Sequence, residues 1–173
     1  NIDYHPLPAI LTIDAAMEAN SYLGPPSQME KGTPDQYLAT TPHRLSGRLY
    51  CGGQEHFYLE GQAALAVPGE DGDMQLYAST QHPSEIQHKV ADMLGVASHA
   101  ITVETRRMGG AFGGKESQGN LPALTAALAA HLTGRPAKTV YDRDDDFMLT
   151  GKRHDFRIDY DAGFDDDGRI IAV

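Results

Sequence analysis

The chain reads as a mixed α/β protein, an α+β arrangement of short strands and packed helices. Three features predict this class. Runs in which apolar and polar residues alternate recur from residue 44 onward, as in Ile101-Thr102-Val103-Glu104, the period-two mark of a half-buried strand. Two longer runs carry apolar residues at helical spacing, Ile86/Val90/Met93/Leu94 and Leu121/Leu124/Leu128/Leu132. Glycine and proline punctuate the joins, with no internal repeat or low-complexity tract between them.

Residues 1–35 are turn-rich, broken by Pro6, Pro8, Gly24, Pro25, Pro26, Gly32 and Pro34. They read as a connector from a preceding domain, with one short helix over 13–19 capped by Asp14. From residue 36 the pattern becomes denser, and 36–173 reads as the domain proper. Strands are expected at 44–50, 55–68 and 74–79, the last two joined by a turn at Gly69-Glu70-Asp71-Gly72. A helix starts at Ser84 with Gln87 as its capping-box partner and ends at Gly95. A strand covers 101–108. The next helix has Asn120 as N-cap, tolerates Pro122 in its first turn, and stops at Gly134 before Pro136. A strand at 137–141, a helix start at 142–146 with solvated carboxylates, and a hairpin over 156–173 complete the chain.

With 173 residues, 40% of them hydrophobic, the chain can bury a real core. A net charge of −10 and a pI near 5.1 argue against nucleic acid or an anionic membrane as partner. No apolar run reaches membrane-spanning length and no signal peptide is evident, so a cytoplasmic location is expected. The single cysteine, Cys51, excludes an internal disulfide and reads as a small buried hydrophobe on a strand. His56, His82, His88 and His154 lack metal-ligand spacing and read as structural. Asp165-Asp166-Asp167-Gly168 lacks the remaining calcium-loop ligands and reads as a hairpin turn. Glu55 and Glu60 read as structural partners for arginine or backbone groups.

The strongest functional signal is Gly109-Gly110-Ala111-Phe112-Gly113-Gly114-Lys115-Glu116. A strand-like run precedes it and a helix-like run follows, a frame that aims unpaired N–H donors at phosphate or oxo groups. A tight turn without function is the plain alternative. Gly109 to Lys115 also satisfies the G-x-x-x-x-G-K pattern of a nucleotide loop, which needs Ser or Thr next to hold Mg²⁺. Glu116 stands there instead, and a carboxylate beside phosphates is repulsive without a metal. Gln81 lies at a strand-to-helix corner, where a side-chain amide can donate to a metal oxo ligand or bond a neighbouring turn.

Met108 to Glu116 resembles the molybdenum-centre loop of the xanthine dehydrogenase and xanthine oxidase family. Leu7-Pro8-Ala9-Ile10, the run from Gly52 to Glu60, Ser79-Thr80-Gln81, Asp142-Arg143, the run from Leu149 to His154 and the Gly163-Phe164 region occur in the family's order. The resemblance covers nearly the whole chain and is nearest to the molybdopterin-binding subunit of bacterial members. It implies that this is an incomplete piece of the molybdopterin-binding domain of a larger subunit, inactive alone. It implies oxidation of purines, hypoxanthine and xanthine to urate, with water as oxygen source and electrons passing through 2Fe-2S clusters and FAD to NAD. The implied partners are the rest of the molybdenum subunit and an iron–sulfur/FAD subunit.

By resemblance, Gln81 lies beside the molybdenum oxo group, and Gly110, Ala111, Phe112 and Gly113 lie against the molybdopterin, with Phe112 in the molybdenum environment. Glu116 is implied to bind the purine and to act in catalysis. Ala111 stands where the family usually has glycine. Alanine there costs on the order of 1 kcal/mol if φ is positive and nothing comparable if it is negative. Aldehyde or N-heterocycle hydroxylation is the alternative within the family, and a truncated structural or assembly partner the alternative outside catalysis. Glu116 favours purines, because an aldehyde offers it no N–H.

Overall fold

A computed structural model describes residues 2–173. They fall into two compact units, one formed by Gln54–Arg153 and the other by the chain up to Gly53 together with His154–Val173. In chain order the elements are α1 (Ile13–Glu18), α2 (Pro34–Thr40), β1 (His43–Cys51), β2 (Ala63–Pro68), β3 (Met74–Ala78), α3 (Pro83–Leu94), β4 (Ile101–Glu104), α4 (Asn120–Thr133), β5 (Ala137–Val140), α5 (Arg143–Leu149), β6 (Phe156–Phe164) and β7 (Ile170–Ala172). None of the described helices is long and apolar enough to cross a membrane.

The unit built from the two ends of the chain holds an antiparallel sheet of order β1-β6-β7. Its register sets His43 opposite Phe164 and Cys51 opposite Phe156. This places Arg44 beside Asp161 and Arg48 beside Asp159 as cross-strand ion pairs. Arg157 adds a contact to Asp14 at 2.6 Å. The cap of α1 is Thr12, whose Oγ1 accepts from the Ala15 N–H at 3.1 Å, and not Asp14 as the sequence suggested. Helix α2, with Pro34 in its first turn, was not anticipated, although Pro at that position is favourable. Cys51 is half-buried rather than a core residue.

The 54–153 unit holds a sheet of order β4-β3-β2-β5. β2 runs antiparallel to β3 and β5, while β3 and β4 are parallel and joined through α3. Helices α3 and α4 pack on this sheet over a core that includes Leu76, Ile86, Val90 and Ile101. Beyond Asn120 and Pro122 in the first turn, the buried face of α4 is made of alanines, Ala123, Ala126, Ala127 and Ala130, which share a core with Ala64, Ala66 and Ala78 of the sheet. Of the leucine stripe, Leu124 alone packs against this core, partly buried, while Leu121, Leu128 and Leu132 are exposed. Small side chains let the helix approach the strands closely, and burial follows that geometry rather than residue hydrophobicity.

Several element ends also differ from expectation. The strand foreseen over 55–68 begins only at Ala63, and Phe57 adopts φ +50°. The strand foreseen over 101–108 stops at Glu104. Helix α4 is capped by Gly119, which leaves Asn120 inside the first turn and buried. No capping box forms at Ser84: α3 starts at Pro83, and the Gln87 amide donates to the Ile101 carbonyl at 2.7 Å, tying helix to crossover. Met93 on α3 is exposed and Ala91 takes the buried place. Asp142 caps α5, but Asp146 is buried rather than solvated.

Candidate active site

The 109–116 loop connects β4 to α4, and its shape depends on left-handed backbone. Gly110 has φ +98°, Phe112 φ +55° and Gly113 φ +93°. A phenylalanine in this region costs on the order of 1 kcal/mol and needs surrounding contacts to hold it. Ala111 is buried and is not among the positive-φ residues, so the alanine sits in the loop without left-handed strain. A turn bond from the Gly114 N–H to the Ala111 carbonyl at 2.8 Å closes the loop. The N–H groups of Gly110, Ala111 and Phe112 find no acceptor among the described residues. The Phe112 side chain is 74% exposed, beside a cleft lined by Gln54, Glu55, His56 and Arg153. Successive unpaired backbone donors of this kind suit an electron-rich oxygen or sulfur ligand.

Gln81 lies at the corner between β3 and α3 and grips this loop. Its Oε1 accepts from the Gly113 N–H at 3.0 Å and the Lys115 N–H at 3.3 Å. Its own N–H donates to the Lys115 carbonyl at 2.9 Å, which also accepts from Thr80 Oγ1 at 3.1 Å. Two backbone donors on Oε1 fix the orientation of the amide, so Nε2 is a donor without a partner among the described residues. Glu116 follows directly, exposed, with no hydrogen bond or ion pair among the described residues. It lies before α4 begins at Asn120, so it does not serve the first helical turn.

Beneath the loop, Gln62 donates to the Gly114 carbonyl at 2.9 Å and to the Tyr58 hydroxyl at 2.8 Å. Tyr58 donates to Asp146 at 2.6 Å. Burial, assisted by the hydrogen bond to Asp146, pushes the Tyr58 phenol up to about 12, so it stays protonated. A Cβ on Gly114 would lie 2.6 Å from Tyr58 Cε1 and 2.7 Å from His56 Cγ. Tyr58 is held from two sides and cannot yield, so Gly114→Ala is expected to destabilise by about 1–3 kcal/mol. A denaturant midpoint unchanged from wild type would show that the loop is free to shift.

Lys115 is the residue whose importance the sequence did not reveal. It is 0% exposed, with Nζ 3.0 Å from Glu60 Oε2, 2.8 Å from Ser79 Oγ and 4.8 Å from the Tyr58 ring centroid. Glu60 Oε2 also accepts from the Gly109 N–H at 2.9 Å and from Ser79 Oγ at 2.7 Å. Burial alone would raise the Glu60 carboxyl, but the Gly109 N–H, the Ser79 hydroxyl and Lys115 together hold it below the usual carboxylate range. Glu60 is thus a structural partner of a backbone group, the Gly109 N–H, as expected, and its charged partner is a lysine rather than an arginine. Glu55 likewise pairs with Lys152 at 2.7 Å. The only sequence signal for Lys115 was its place at the end of the glycine-rich loop. Its burial also weighs against the nucleotide-loop reading, since an ammonium sequestered by Glu60 and Ser79 is not presented to phosphates.

The profile of the molybdopterin cofactor-binding domain matches residues 15–173. Xanthine dehydrogenase/oxidase of Mus musculus is 47% identical over 99% of this chain, and aldehyde oxidase 1 of Oryctolagus cuniculus is 42% identical over 96% of it. The chain spans 13% and 12% of the lengths of these two relatives. Among solved structures, quinoline 2-oxidoreductase from Pseudomonas putida 86 superposes with a TM-score of 0.81 at 25% identity, covering 98% of this chain and 23% of that one.

Proposed function

This chain belongs to the molybdopterin cofactor-binding domain family, and from that premise we propose that it forms part of the active site of a molybdenum hydroxylase acting on purines. The observation that carries the reading is the donor set: the free N–H groups of Gly110, Ala111 and Phe112, and the Gln81 Nε2 held by its own carbonyl end. Such donors fit a cofactor rich in oxo, sulfur and phosphate acceptors. When bound, that cofactor supplies the two-electron oxidation of a substrate carbon, with water as the source of oxygen.

In this reading the 110–113 backbone would hold the cofactor, Phe112 would form part of the molybdenum environment, and Gln81 would supply a side-chain donor to it. Glu116 binds and orients the purine by accepting a ring N–H, and when protonated it donates instead. Its unpartnered carboxylate supports that role. The remainder of the molybdenum subunit would complete the site, and 2Fe-2S clusters and FAD in other domains or subunits would provide the electron path to NAD. The identities with both xanthine and aldehyde oxidising relatives leave the aldehyde reading as the rival.

Glu116→Ala in the full-length protein separates the two. Loss of a hydrogen bond to a charged group is worth about 1.5–3 kcal/mol, or about 10- to 150-fold in kcat/KM. Xanthine turnover is expected to fall by that factor and turnover of an aromatic aldehyde much less. Equal losses on both substrates would assign Glu116 to holding the loop and remove the purine contact.

A further inference from the structure

We propose that Lys115 is the positioning residue of the cofactor loop, acting through Glu60 and Ser79 rather than by touching the cofactor; the inference rests on the molybdopterin reading above. Both ends of the loop converge on one atom. Glu60 Oε2 takes the Gly109 N–H at 2.9 Å and Lys115 Nζ at 3.0 Å. Ser79 Oγ, 2.7 Å from the same oxygen, ties this junction to the end of β3, two residues before Gln81. The Lys115 main chain meanwhile holds Gln81 from both sides, accepting from its backbone N–H at 2.9 Å and donating to its Oε1 at 3.3 Å. Lys115 therefore links the span of the loop, on which the left-handed Phe112 depends, to the orientation of the Gln81 amide.

Burying a lysine is a poor route to stability, because an apolar side chain of similar volume is often as good or better there. What the ammonium adds is direction: hydrogen bonds to a carboxylate and a hydroxyl fix its position as apolar packing does not. In the declared reading, that fixed position keeps the Gly110–Phe112 donors and Gln81 Nε2 in the geometry the cofactor meets.

The test uses full-length protein purified with its native metal. The Lys115→Met/Glu60→Gln double variant removes both charges at nearly constant volume, and Ser79→Ala removes the hydroxyl while keeping both charges. Molybdenum content and its rate of release are measured by metal analysis, alongside the melting temperature. The double variant is expected to melt near wild type yet to release molybdenum about 10- to 100-fold faster, as for loss of an outer-shell partner. Ser79→Ala should change in the same direction by less, and it decides the matter if the double variant fails to fold. Wild-type release rates in the folded variants would overturn the role of Lys115 while leaving the molybdopterin reading intact. Absence of molybdenum from the wild-type protein would overturn both.

Discussion

Glu60→Gln is expected to destabilise the 54–153 unit by about 1.5–3 kcal/mol, the cost of giving a buried ammonium a neutral partner in place of a charged one. The asymmetry of the pair sets this size. Lys115 is 0% exposed whereas the Glu60 side chain is 42% exposed. Removing the Glu60 charge leaves a dry ammonium with only neutral partners, the glutamine amide oxygen, Ser79 and the Tyr58 ring, while removing Lys115 leaves a carboxylate that water still reaches. Glu60→Gln should therefore cost more than Lys115→Met. The sign with pH follows from the depressed Glu60 carboxyl. Its contribution is fully present above the unfolded value of about 4.5 and is lost as pH falls through the lower folded value. Thermal melts of both variants, and of wild type between neutral and acidic pH, read these effects. A larger loss for Lys115→Met than for Glu60→Gln would contradict the assignment of burial to the lysine.

If Gln81 is the donor proposed above, Gln81→Glu and Gln81→Ala are expected to lower kcat of the full-length protein by about 10²–10³, the loss typical of one donor to a group that gains charge in the transition state. The glutamate variant is the more informative. It keeps an acceptor for the Gly113 and Lys115 N–H groups, so the loop remains anchored, but it removes the Nε2 donor. Both variants should fold and the glutamate variant should retain its molybdenum, because the corner is exposed and truncation loses two hydrogen bonds of about 1 kcal/mol each. Single-turnover rates on xanthine, normalised to molybdenum content, provide the readout. Full activity in Gln81→Glu would remove Gln81 from the reacting centre.

Much of this was legible in the sequence because it is local. The turn at Gly69–Gly72, the left-handed stop at Gly95, the hairpin of β6 and β7 and the glycine-rich loop between β4 and α4 all follow from residue type and spacing. What failed was non-local. Leucines and alanines on α4 share the same helical period, and only the nearness of Ala64, Ala66 and Ala78 decides that alanine is buried. The run from Glu55 to Gly61 carries the aromatic and aliphatic residues of a strand, yet its backbone turns at Phe57 so that Tyr58 and Glu60 can support the loop. Glu60, Ser79 and Lys115 are far apart in sequence, and no spacing rule brings them together. Asp146 looked solvated in an acidic run until Tyr58 and Thr150 were placed against it.

The loop and Gln81 are proposed to receive molybdopterin rather than a nucleotide. Metal analysis of the intact, full-length protein, with Mg²⁺-dependent ATP binding measured on the same sample by calorimetry, tests it most directly. Stoichiometric molybdenum and no ATP binding are expected, since Lys115 is sequestered and Glu116 occupies the hydroxyl position. Protein without molybdenum that binds ATP at micromolar concentrations would contradict it.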